Sequence, residues 1–176
     1  MEFIYFEKIG ECGHTQAVVE LLTLADKEFI PPLSCRDSST QSDLSGAQNA
    51  ADGILSYYRT MSTQPAILAV ENGRCMGFMA FKIDYTCQQI GPEQLPNLYA
   101  STCVVHPDAR GKGLMTGFYR EMIRLFPERS LFTRTWHTNL SHLRVLDKLG
   151  FREWDRLPNH RGPGMDTVYF RRSADK

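Results

Sequence analysis

Long apolar runs are missing from this chain: the longest, such as Ala66-Ile67-Leu68-Ala69-Val70, reach only five residues, where a membrane-crossing helix needs roughly 20. No membrane partner is expected. Excess charge is missing too, since 20 Lys+Arg balance 20 Asp+Glu, and a chain without net positive charge has no bulk attraction to nucleic acid. Cys12, Cys35, Cys75, Cys87 and Cys103 are odd in number, widely spaced and form no C-x-x-C. That excludes a disulfide framework and a zinc ribbon and leaves reduced thiols. The start, Met1-Glu2-Phe3-Ile4-Tyr5-Phe6-Glu7, has neither a basic segment nor a small-residue cleavage site. It reads as a strand, and the expected location is cytoplasmic.

What is present is ordinary globular composition, 42% hydrophobic and 23% charged, in a length that suits one domain over residues 1–176. Val18, Leu21, Leu22, Ala25 and Phe29 recur at helical spacing, as do Ala47, Ala51, Ile54, Leu55 and Tyr58. Between them lies a polar, turn-prone stretch centred on residues 34–43, which predicts a lid loop over about residues 30–46. Pro65 to Ile83 reads as a β-hairpin turning at Glu71-Asn72-Gly73-Arg74, and Leu98 to Val105 as a further strand. Leu114, Phe118, Met122 and Leu125 predict a helix stopped by Pro127, followed by a strand over Ser130 to Trp136. Leu140, Leu143, Leu146 and Leu149 step by three along a short helix closed by Gly150. Phe151 to Leu157 and Asp166 to Phe170 are the last two strands, joined by the glycine-containing loop Pro158 to Met165. The order predicts a mixed α/β sheet with helices on both faces, a three-layer arrangement.

The neutral total hides an imbalance. Residues 1–100 hold 6 Lys+Arg against 12 Asp+Glu, and residues 101–176 hold 14 against 8, which points to an anionic ligand on the C-terminal part. The candidate place is Val104-Val105-His106-Pro107-Asp108-Ala109-Arg110-Gly111-Lys112-Gly113-Leu114-Met115-Thr116, a strand, a glycine turn and a helix start. Gly111 and Gly113 let backbone N–H groups turn inward where the helix begins. Those donors, with the positive helix end and the Arg110 and Lys112 charges, suit a pyrophosphate. A nucleotide-hydrolysing P-loop is excluded because Lys112 is followed by Gly113 rather than Ser or Thr. Cys103-x-x-His106 is half a zinc site without a second half, and no metal is expected.

This stretch resembles the acyl-CoA-binding motif of the GNAT superfamily of N-acetyltransferases, Gln/Arg-x-x-Gly-x-Gly/Ala, with Arg110 and Gly113 matching and Met115 in place of the final small residue. A second motif, Asn-x-x-Ala-x-x-x-Tyr-x-x-x-Gly-Phe, is matched by Asn139, Gly150 and Phe151, with His142 in the Ala position and Leu146 in the Tyr position. The resemblance covers about residues 65–156. It implies a sheet of six to seven strands splayed between the fourth and fifth, acetyl-CoA as cosubstrate, and direct attack by a primary amine of a small molecule or peptide. It also implies a pantetheine arm pairing with the main chain of Val104 and Val105 and touching Asn139 and Ser141, and members are often homodimers.

The chemistry then needs a base for the amine and a proton for the departing thiolate. The family's Tyr is Leu146 here, which makes His142, one helical turn earlier, the candidate substitute. Strand alternation puts Tyr99, Ser101, Cys103 and Val105 on one face, so Tyr99 and Ser101 are expected to order water towards the amine. His106, His137 and His142 are candidate bases, and Cys103 is a candidate nucleophile with a buried strand residue as the favoured reading. The acidic balance of residues 1–100 favours a cationic acceptor such as a polyamine, an aminoglycoside, a lysine or a peptide N-terminus. A CoA-binding sensor with little catalysis is the alternative function.

Overall fold

In a computed structural model, which describes residues 1–44 and 53–174, the chain forms strands β1 (Glu2–Phe6), β2 (Ala66–Glu71), β3 (Arg74–Ile83), β4 (Asn97–Val105), β5 (Ser130–Trp136), β6 (Arg152–Leu157) and β7 (Thr167–Arg172). Helices α1 (Thr15–Ala25) and α2 (Gly53–Met61) precede β2, α3 (Leu114–Leu125) joins β4 to β5, and α4 (Leu140–Lys148) joins β5 to β6. The strands make one sheet in the order β1-β2-β3-β4-β5-β7-β6. The pairing of β4 with β5 is parallel and the other pairings are antiparallel. A parallel pair needs a crossover, which α3 supplies.

Local chemistry explains the turns. Asn72 and Gly73 both adopt positive φ, 52° and 76°, the requirement of the tight hairpin turn that Asn-Gly favours. Helix α4 closes as its sequence predicts: Gly150 sits at φ 79°, its N–H reaches the Asp147 carbonyl, and the Phe151 N–H reaches Leu146. The three-residue step of leucines in that helix does not set its buried face. Leu140 is 60% exposed, whereas His142 and Leu146 are buried with Val145 and Leu149 packed beside them, because a helix turns every 3.6 residues. Ile54, Tyr57, Tyr58 and Met61 pack α2 onto the sheet. Ala47 and Ala51, assigned to the same helix by periodicity, lie outside the described residues.

Helices α1 and α2 cover one face over Phe78, Ala80 and Val104. Helix α3 covers the other over Met79, Phe81, Leu98 and Ala100, with Tyr119, Leu146 and Phe151 filling the space towards α4. These faces cross on β4. Ala80 pairs with Thr102 but Phe81 pairs with Ala100, so Ser101 is an extra residue, a β-bulge that shifts the side-chain alternation by one. Leu98 and Ala100 point to the α3 side before the bulge, and Cys103 and Val105 after it. Tyr99 instead belongs with Ile90, Phe132 and Tyr169, on the side that receives Thr102 and Val104. Tyr99 therefore does not share a face with Cys103 and Val105 as simple alternation predicts.

Candidate active site

The β4–β5 ladder covers only Asn97–Ala100 against Ser130–Thr133. The Thr133 hydroxyl closes its end by donating to the Ala100 carbonyl at 3.1 Å. Beyond that point β5 stays paired with β7 through Trp136 and β4 with β3 through Val105, so the two strands diverge with unpaired inner edges. The His106 N–H bonds to Met76 on β3, so alternation turns the main-chain groups of Val105 and Cys103 into the gap.

The gap opens into a cleft of about 580 Å³ whose wall includes Ser101, Val104 and Val105 of β4, Arg134 and Trp136 of β5, and the N-terminal ends of α3 and α4. At α3, Gly111 and Gly113 have φ of 74° and 81°, and a Cβ on either would meet no atom within 4 Å. These glycines are required by backbone conformation and leave open space, so a ligand can approach the main chain closely. The first bond of α3 runs from the Gly117 N–H to Gly113, which leaves the N–H groups of Leu114, Met115 and Thr116 outside the helical ladder and beside the cleft. This is a cradle for phosphate, and it fits the pyrophosphate of CoA. Arg110 also lines the cleft, but its guanidinium is engaged, donating to both carboxylate oxygens of Glu28 at 2.8 and 3.0 Å. Glu28 belongs to the turn after α1, so this pair bridges the mouth of the cleft. Lys112 is exposed and does not line it.

On α4, Asn139 caps the helix: its Oδ1 accepts from the His142 N–H at 3.4 Å and from the Ser141 hydroxyl at 3.1 Å, while its Nδ2 donates to Thr135. Both Asn139 and Ser141 line the cleft. His142 lines it too, but is 8% exposed and lies with its Nε2 2.9 Å from the Tyr119 hydroxyl. Burial pushes its pKa down to about 4, so it is a neutral imidazole near pH 7 and a poor acid or base. Tyr119, which sequence reasoning missed, also brings its hydroxyl to the wall; burial raises its pKa, so it keeps its proton. Leu146, in the family's Tyr position, is wholly inside the core.

The other candidates separate. Tyr99 does not line the cleft; its ring lies tilted against Tyr85 with centroids 4.6 Å apart, and burial raises its pKa. The Ser101 hydroxyl is within 2.6 Å of Gln64 Oε1 and 3.1 Å of the Ala80 carbonyl. Gln64 in turn donates to Ser39 of the loop over this face. His106 accepts the Asp108 N–H and meets Arg74, and His137 accepts the Asp166 N–H; neither lines the cleft. Cys103 lines it with its thiol pushed up to about 12 by burial, so it is no nucleophile near neutral pH. Among the described residues no group of His, Cys, Asp and Glu could hold a metal ion, and no helix is long and apolar enough to cross a membrane.

A family model described as the acetyltransferase (GNAT) family matches residues 34–151. The chain belongs to the GNAT acetyltransferase family. Solved structures show the same fold. The aminoglycoside 6'-N-acetyltransferase of Enterococcus faecium is 14% identical with a TM-score of 0.68, covering 100% of this chain and 98% of that one. The yncA protein of Salmonella typhimurium, solved with its cofactor acetyl-CoA, is 17% identical with a TM-score of 0.65, covering 100% and 96%. An N-acetyltransferase of Staphylococcus aureus Mu50 is 16% identical with a TM-score of 0.65, covering 98% and 99%. No curated protein matches the chain in a sequence search. As a GNAT member the chain is an acetyl-CoA-dependent N-acetyltransferase.

Proposed function

We propose that residues 1–176 act as one cytoplasmic acetyltransferase domain that moves the acetyl group of acetyl-CoA to a primary amine by direct attack. The observation that carries this reading is the open inner edge of β4, which runs from the end of the β4–β5 ladder to the Gly111–Gly113 turn. In this reading the first-turn N–H groups of α3 hold the pyrophosphate, with Arg110 released from Glu28 to face it. The main chain of Val105, with that of Cys103 before it, pairs with the pantetheine arm, whereas the main chain of Val104 faces β3 and is not available as the sequence led one to expect; Asn139 and Ser141 flank the arm. An N–H of the bulged edge donates to the thioester oxygen, a donor placed where negative charge develops.

The protonated amine is the harder problem. An alkylamine with pKa ~10.4 is about 0.1% neutral at pH 7.4, a cost of roughly 4 kcal/mol unless a base takes the proton. His142 is too weak a base for this, and the Ser101 hydroxyl is tied to Gln64 and Ala80. Glu28, among the described residues the one carboxylate on the wall, lies with Arg110 at the pyrophosphate end, so the proton leaves through solvent. The departing thiolate, with pKa ~8.5, needs no strong acid near neutral pH; the Tyr119 hydroxyl on the wall is a candidate hydrogen-bond donor to it. A second reading, a CoA-binding sensor with little turnover, is favoured by the burial of Leu146 where the family carries its acid.

Release of free CoA thiol from acetyl-CoA, measured across a panel of amines with calorimetric CoA binding in parallel, separates the two. Acceptor-dependent release is the expected result. Tight binding without release on any amine would transfer the assignment to the sensor.

A further inference from the structure

The side of the sheet opposite α3 carries a cluster of cations that the acetyl-CoA cleft does not explain. Arg134 follows the last β4–β5 pair directly, so its side chain leaves the sheet at the vertex of the gap. It lines both the acetyl-CoA cleft and a second cavity of about 400 Å³, whose wall includes Thr40, Tyr85, Gln88, His160 and Tyr169. Its guanidinium donates to the Gln41 carbonyl at 2.7 Å and to the Tyr169 hydroxyl at 3.3 Å. Behind it are two more buried guanidiniums. Arg161 is 7% exposed and Arg36 5%, and both lie close enough to Arg134 for the charges to oppose one another. Arg161 sits over Trp136, Arg36 over Phe29, and those two rings are 6.0 Å apart.

The partners of these groups are neutral. Arg161 donates to Thr167 and to the Ile30 carbonyl, Arg36 donates twice to the Pro31 carbonyl, and Lys82, on the same side, donates to the Thr40 hydroxyl. Asp26, the carboxylate that acts on Arg36, gives its oxygens to the Ser34 N–H and hydroxyl. Among the described residues none of the four cations makes an ion pair. Buried charge without a counter-ion is costly and is retained where it meets an opposite charge. Burial, with repulsion from Arg36 and Arg134 added to it, pushes Arg161 down to about 9.

We propose that the acceptor is a small amine that also carries a carboxylate, and that this carboxylate binds the Arg134 guanidinium where the two cavities meet. The inference rests on the transferase reading and names its substrate class. A carboxylate on Arg134 forms charge-assisted, two-pronged bonds that the neutral Gln41 carbonyl and Tyr169 hydroxyl do not match. It also places an amine a few bonds away at the vertex, beside the edge of β4. The acidic balance of residues 1–100, from which a cationic acceptor was expected, is not what surrounds Arg134, where Arg36 and Arg161 add positive charge.

The test uses amino acids matched with their carboxamides and with the corresponding decarboxylated amines. CoA thiol release is measured for each, and equilibrium binding of each to the CoA-loaded protein is measured in parallel. The free carboxylates are expected to exceed the other two members of each set by at least about tenfold in kcat/KM. Arg134→Gln is expected to abolish that ratio and Arg134→Lys to keep part of it, the lysine variant also serving as the folding control. Equal or better use of the amides or simple amines, or a ratio unchanged in Arg134→Gln, overturns the proposal. If no amine releases thiol, the transferase reading falls by itself. The binding series then decides the anion site: it stands if the carboxylates alone bind and Arg134→Gln loses them, and falls if the amides bind equally.

Discussion

Cys103 shows how burial decides chemistry at the scale of one residue. Its thiol faces the cleft beside the acetyl group's expected place, yet desolvation holds it protonated at neutral pH. Cys103→Ala should keep turnover within about threefold, and mass spectrometry after acetyl-CoA treatment should find no acetylated cysteine; a covalent adduct would contradict direct attack. His142 was legible as a site residue from its motif position, but its role was not, because burial and the Tyr119 partner come from α3, distant in sequence. Its depressed pKa has a stability consequence. The unfolded chain protonates this imidazole below about pH 6.5 and the folded one only near 4, so stability is full above pH 6.5 and falls as the pH drops through that interval. Replacing it by Gln should flatten this part of the acid-unfolding curve, read by circular dichroism at a series of pH values. Glu28 gave no sequence signal at all. Glu28 and Arg110 are about half exposed, so their pair adds little to stability, about 0–1 kcal/mol, but it occupies the cation beside the glycine turn that lines the cleft. Glu28→Gln should tighten acetyl-CoA binding by about two- to fivefold at low salt, measured by calorimetry; weaker binding would show that the glutamate helps hold the ligand.

At the scale of elements, most of the fold was readable because its signals are local. Asn72-Gly73 fixed the hairpin, Gly150-Phe151 the end of α4, and the apolar spacing of Leu114, Phe118 and Met122 the buried face of α3. The bulge at Ser101 was not readable. Residues on both sides of β4 are buried, so no polar alternation marks where the pattern slips, and the misplacement of Tyr99 follows directly. The geometry under the cleft is tight as well. A Cβ on Gly77 would stand 2.7 Å from the Val104 carbonyl oxygen and 3.3 Å from the Val105 Cα, both backbone atoms that cannot swing aside. Gly77→Ala should cost about 1–3 kcal/mol of stability and weaken acetyl-CoA by displacing the β4 edge. Chemical denaturation and calorimetry on one preparation would check both effects.

For the whole molecule, charge counted along the chain and charge gathered in space are different quantities. The acids of the first 100 residues are mostly dispersed on outer surfaces, whereas Arg36 and Lys82 from that same segment join Arg134 and Arg161 on the inner side. No sequence window sees four cations that the fold gathers from positions 36 to 161. Among the described residues the one carboxylate on the cleft wall is Glu28, at the mouth beside Arg110, so without a base at the thioester end kcat/KM should rise about tenfold per pH unit up to the pKa of the amine. A bend near pH 6.5 would instead reveal an imidazole base, a role the lowered pKa values of His142 and His160 speak against.

Among the described residues, the four residue pairs of the β4–β5 ladder are the only sheet bonding between β1–β4 and the block of β5, β6 and β7. Mechanically the molecule is two stiff plates joined along a short seam, with the substrate cleft as the continuation of that seam. Acetyl-CoA seated there acts as a splint, so its arrival should slow amide exchange in both plates and its departure as CoA should return the joint to its softer state.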